Sequence, residues 1–185
     1  TTVTVGKAWV RNDARVDLDA EGAHANLDGA YLAFGRCHVD NHTHISHNAP
    51  ECTSRECYKG VLGDRGHAVF HGRIVVQPNA QKTDSEQSNQ NLLLSADAQI
   101  DTKPQLEIYA DDVKCAHGAT VGQMDEAALF YLVSRGVDRE TARRMLTQAF
   151  AAEILETVTP PALQSYLASH VSGRLSPAVP PGAAA

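Results

Sequence analysis

Residues 3 to about 121 carry no 3.6-residue hydrophobic period, which excludes a helical core for most of the chain. Short extended runs take its place: Ala14–Leu18, His24–Leu27, Ala30–Phe34, Cys37–Ile45, Ser54–Leu62, His67–Val76, Asn91–Ser95, Leu106–Tyr109 and Val113–Cys115. Turn signals separate them, at Asp28-Gly29, Gly35, Asn48-Ala49-Pro50, Gly63-Asp64, Pro78-Asn79 and Lys103-Pro104. Short runs with a turn every 8–12 residues or so fit a sandwich, a barrel or a β-solenoid. Two features favour the solenoid. Few Asn-Gly-type hairpin turns occur, although Asp28-Gly29 fits one. Polar residues also sit inside the extended runs (His38, Asp40, His42 and His44, then Ser88, Asn89 and Asn91), where stacked rungs can join them in hydrogen-bonded ladders.

At Met124 the period changes to helical. Asp125 caps a first helix that runs to Arg135, and Gly136 fits the left-handed position after it. Asp138 caps a second helix, with Ala142, Met145, Leu146, Ala149, Phe150 and Ile154 as its apolar stripe. Thr159-Pro160-Pro161 stops it, and a short third helix is expected over Ala162–Val171. The expected organisation is a β-core over 1–122, a helical domain over 123–172 and a disordered Pro/Ala-rich tail over 173–185. A helical hairpin of this length cannot bury both faces, so it packs on its own domain or on a partner.

Composition narrows the function. Aromatics are 5% of the residues, so the core is expected to be aliphatic. A formal charge of −6 argues against a nucleic-acid binder. The four cysteines, Cys37, Cys52, Cys57 and Cys115, form no C-x-x-C pair and read as free thiols in a reducing compartment, here the cytoplasm. No run of about 18 apolar residues marks a membrane span. The chain opens Thr1-Thr2-Val3, with neither an initiating Met nor a signal peptide, and reads as a fragment of a longer protein.

The densest ionisable cluster is CHVDNHTHISH, residues 37–47. His38, His42 and His44 share a strand face, but six strand residues span roughly 20 Å, too far for one ion. His42 and His44 alone offer two ligands; the other reading is a ladder of hydrogen-bonded side chains. Cys52 and Cys57 fall on opposite faces and read as buried small hydrophobes. Asp111 and Asp112 are adjacent, so they diverge on a strand and make a poor acid dyad. Cys115 and His117 share parity, which puts a thiol and an imidazole on one face. Gly118 and Gly122 allow close backbone approach there, by a turn or by another subunit. No P-loop, nucleophile elbow, HExxH or dinucleotide fingerprint occurs, which favours a scaffold over an enzyme.

The stretches NHTHISHNAPECTSRECYKGVLGDRGHAVFHGRIVV, KTDSEQSNQNLLLS, DTKPQLEIYADDVKCAHGATVG and DEAALFYLVSRGV closely resemble the SufB/SufD family of iron–sulfur cluster assembly proteins. KCAHGATVG resembles the SufD side of that family, because Ala116 and Gly118 stand where the SufB side has acidic residues. The resemblance implies a right-handed parallel β-helix followed by a small helical domain, in a non-catalytic scaffold subunit. It implies pairing with SufB through the end of the β-helix, where Cys115 and His117 would lie and could engage iron or sulfur. It also implies binding of the SufC ATPase by the helical domain, for which Leu129, Phe130, Leu132, Met145 and Phe150 are the expected contacts. The iron–sulfur cluster would be transient and belong to the assembled complex, and the isolated fragment could pair with a second copy. The alternative is a stand-alone metal-binding β-helix protein using His and Cys side chains.

Overall fold

The structure, a computed structural model, describes residues 1–6 and 8–175. The chain divides into two compact units, Thr1–Gln123 and Met124–Ala185. The first unit holds nine strands: β1 (Thr2–Val5), β2 (Trp9–Leu18), β3 (His24–Ala33), β4 (His38–His47), β5 (Thr53–Leu62), β6 (His67–Val76), β7 (Asp84–Leu93), β8 (Gln99–Ile108) and β9 (Lys114–Gln123). Odd strands form one parallel sheet in the order β1-β3-β5-β7-β9, and even strands a second in the order β2-β4-β6-β8. Each strand thus pairs with the next but one, which makes a parallel β-solenoid of about four turns. No helix among the described residues is long and apolar enough to cross a membrane.

Alternation along each strand builds the interior. In β6, residues 68, 70, 72 and 74 are buried while 67, 69, 71 and 73 are only half-buried. One core cluster is aliphatic, with Leu18, Ile45, Ile74 and Val76. The other corrects the expectation of an aliphatic core, because Tyr31, Tyr58 and Phe70 sit at its centre. Few aromatics occur in the chain, but three of them are inside.

Glycines make room for these rings. Gly29 pairs with Tyr58, and Tyr31 pairs with Gly60 on the same two strands. A Cβ on Gly29 would collide with the Tyr58 ring, and one on Gly60 with the Tyr31 ring and the Asn91 carboxamide oxygen. Asp28-Gly29 is therefore no hairpin turn; both residues lie inside β3. Gly60→Ala is expected to destabilise the chain by about 1–3 kcal/mol, although alanine normally suits a strand better than glycine. Urea unfolding checks this, and a neutral or stabilising result would mean that the rings shift at no cost.

Two further expectations change. Lys103-Pro104 is not a turn but lies within β8, an edge strand that tolerates a residue without an N–H. The polar run from Asp84 to Gln90 is strand, because its alternate side chains (Ser85, Gln87, Asn89) find polar partners inside the stack. Ser88, grouped in the sequence with the interior ladder, faces outward beside them. Three non-glycine turn residues among the described residues sit in the left-handed region, Glu51 at φ 59°, Asp64 at φ 55° and Lys82 at φ 59°. The Lys82 Nζ bonds the Glu51 carboxylate at 2.9 Å, so successive turns are tied to each other.

The second unit has three helices: α1 (Glu126–Ser134), α2 (Arg139–Leu155) and α3 (Pro161–Leu175). Asp125 accepts from the Ala127 and Ala128 N–H groups, and Asp138 from Thr141 N–H. Gly136 takes φ 89° after α1. The buried side of α2 is Ala142, Thr147, Ala151, Ile154 and Leu155, so the expected stripe is corrected at Met145 and Ala149, which are exposed. α3 runs four residues past Val171, which makes 173–175 helical rather than tail. The rest of the expected tail lies outside the described residues.

Candidate functional site

β9 is the last strand of its sheet and has β7 on one side only. It is an open sheet edge, with backbone groups left free to pair with another chain. All of Lys114–Gln123 except Cys115 is exposed. Gly118 and Gly122 are ordinary strand residues here, and a Cβ on either would meet nothing within 4 Å. A turn is therefore not the reason for these glycines.

The register sets what lies beneath this edge. Cys115 pairs with Ser85, and Ser85 with Ser54. The two serine hydroxyls bond at 2.8 Å, and Ser54 bonds the buried His47 Nε2 at 2.9 Å. His117 pairs with Gln87, and Gln87 with Glu56. Gln87 Nε2 donates to Glu56 Oε2 at 2.7 Å, with both residues almost fully buried. Paired residues of a parallel ladder point the same way, so both columns run inside the solenoid and end at Cys115 and His117.

Burial decides the chemistry of these columns. It pushes the Cys115 thiol up from its ordinary pKa, an effect that Asp84 reinforces and a backbone hydrogen bond with Ser85 opposes. The side chain packs partly into the aliphatic cluster and stays a thiol at neutral pH. Burial also drives His47 down to about 4, so it is neutral. Glu56 is pushed up by the same cause, against the hydrogen bond it accepts from Gln87. His117 is exposed, and its side chain makes no hydrogen bond to the described residues.

Sequence reading brings Cys115 and His117 together on one face, as the strand does. It misses Ser54, Ser85, His47, Glu56 and Gln87 beneath them. Their signal is weak: polar residues on the inward parity of two strands that lie about thirty residues apart.

The outward histidines do not form a metal centre. His38 stacks on Trp9 and meets His67 edge-on, His42 Nε2 lies 2.8 Å from the Asp40 carboxylate and edge-on against His71, and His44 bonds Ser46. Among the described residues, no group of three or more His, Cys, Asp or Glu side chains is placed to hold a metal ion. This includes the Cys115–His117 pair, which supplies two donors at most. Asp111 and Asp112 are exposed in the β8–β9 turn. Cys37 and Cys52 are buried, Cys57 is half-buried, and all four cysteines are free thiols.

In the helical unit Phe130 is 73% exposed and Met145 46%, with Tyr131 and Tyr166 also exposed. Leu132 and Phe150 are half-buried. Leu129 is fully buried, which corrects its expected place on a contact surface: it packs inside.

Comparison with known proteins gives one family. Residues 1–150 match the family described as SUF system FeS cluster assembly, SufBD core domain. The chain is 40% identical over 171 residues to the iron-sulfur cluster assembly protein SufD of Escherichia coli, covering 92% of this chain and 40% of that protein. It is 37% identical over 172 residues to the SufBD family protein slr0076 of Synechocystis, covering 93% and 38%. It is 39% identical over 174 residues to the chloroplastic protein ABCI7 of Arabidopsis thaliana, covering 94% and 37%. The chain thus spans about two fifths of the length of these relatives.

Proposed function

The chain belongs to the SufBD family of the SUF iron–sulfur cluster assembly system, and from that premise we propose that it is a non-catalytic, SufD-type scaffold subunit. In this reading β9 pairs with SufB, and the helical unit binds the SufC ATPase. The observation that carries it is the open last rung, which presents a thiol and an imidazole along an unpaired strand edge. Two donors do not complete the shell of an iron or a cluster, so the remaining ligands come from across the interface. The cluster is cargo of the assembled complex rather than a resident group of this chain. Without SufB, the same edge is free to pair with a second copy. Four free thiols support work in a reducing compartment such as the cytoplasm.

Phe130 and Met145 are the anchors proposed for SufC, with Leu132 and Phe150 beside them and Leu129 holding α1 from within. Exposed aromatic and Met side chains are typical interface anchors. The chain is expected to co-elute with its cognate SufC on size exclusion, and the Phe130→Asp, Met145→Asp double variant is expected not to. Both residues are exposed, so the charges should leave the fold intact. No co-elution of the wild-type chain, or undiminished co-elution of the double variant, would remove the SufC surface from this proposal.

A further inference from the structure

The column beneath His117 contains two buried oxygens with no partner, Glu56 Oε1 and, one rung nearer His117, Gln87 Oε1. Gln87 is 1% exposed, and its Nε2 is committed to Glu56. Its Oε1 is buried with no hydrogen bond and is closed to water. A buried amide oxygen left unpaired is costly, so it calls for an explanation. The amide also has little room to turn. A Cβ on Gly72 of β6 would collide with Gln87 Nε2, so the interior is already filled at that level.

One rung further along the same column stands His117. Neighbouring strands lie about 4.8 Å apart, within reach of an imidazole that swings over the column. The His117 imidazole donates nowhere else among the described residues. We propose that Gln87 is the positioning residue for His117: its Oε1 accepts one imidazole N–H, which fixes the ring tautomer and turns the other nitrogen's lone pair out of the open end. This rests on the reading of β9 as the SufB-facing, cluster-building edge.

The chemistry favours such an arrangement. A histidine that ligates a metal is usually held by its second ring N–H on a carboxylate or carbonyl. Here the holder would be an amide oxygen anchored to a buried Glu56. Lys114 and Ala116, the neighbours of His117 along β9 with the other parity, face away from the column.

The test is imidazole nitrogen NMR on the 185-residue chain labelled at histidine, at a pH where the rings are neutral. The expected result is one dominant tautomer for His117, which becomes the mixture of an unconstrained imidazole in Gln87→Met, a variant of similar length. In Gln87→Glu, which keeps an oxygen acceptor, the single tautomer is expected to persist. A mixture in the wild-type chain overturns the inference without any variant. So does a single tautomer that survives in a folded Gln87→Met. In the full SUF complex, Gln87→Met is expected to lower the rate of cluster formation about tenfold. Normal rates with Gln87→Met but not with His117→Ala would sink this inference alone. Normal rates with His117→Ala would instead sink the functional reading and leave the tautomer result standing.

Discussion

In the assembled SUF complex, His117→Ala is expected to lower cluster formation at least about tenfold, read as the visible absorbance that develops when iron and a sulfur source are supplied. The fold should not register the change. His117 is exposed and its side chain is unbonded among the described residues, so its loss should move stability by no more than about 0.5 kcal/mol. A large functional loss with an unchanged melting temperature separates an interface role from a structural one. Cys115→Ser makes a useful companion, because the Cys115 thiol sits partly in the aliphatic cluster and is held protonated there. If His117→Ala builds clusters at the wild-type rate, the role given to this residue is wrong.

The second large effect is acid sensitivity from inside the solenoid. His47 is fully buried and neutral, with a pKa lowered by burial to about 4, against about 6.5 when unfolded. The unfolded chain therefore binds a proton that the folded chain refuses. The stability tied to His47 is fully present above pH 6.5 and is lost as pH falls from 6.5 towards 4. That shift corresponds to about 3 kcal/mol by pH 4. His44, also lowered by burial, acts in the same sense. Glu56 acts in the opposite sense: its raised pKa disfavours the fold as pH rises above about 4.5, where the unfolded carboxyl ionises. His47→Gln keeps a polar group beside the Ser54 hydroxyl and removes the titration. Chemical denaturation of both proteins at pH 7 and pH 4 should show a smaller acid loss in the variant, by about 3 kcal/mol. Equal acid losses would mean that His47 is hydrated or protonated inside the fold.

The sequence alone determined the local features of this protein. Inward and outward alternation has a period of two, so parity alone puts Cys115 and His117 on one face and His47 on the face opposite His38, His42 and His44. Helix ends are equally local, and Asp125, Asp138 and Gly136 mark them because caps satisfy backbone groups within a few residues. The long stretches around 41–76 and 101–122 carry the resemblance to the family in the sequence itself. Tertiary structure decided which side chain lies over which. Trp9 pairs with His38 across 29 positions, Thr53 with Asp84 across 31, and His67 with Gln99 across 32. Turns of unequal length blur the repeat, so no fixed period in the sequence puts Ser85 under Cys115 or Gln87 under His117. The same stacking turned Asp28-Gly29 and Lys103-Pro104 from apparent turns into strand, because the cross-strand ladder, and the Tyr58 ring over Gly29, outweigh a weak local turn preference. It also decided that Leu129 is a packing residue and Phe130 a surface one, a difference that adjacent apolar residues in a sequence do not reveal.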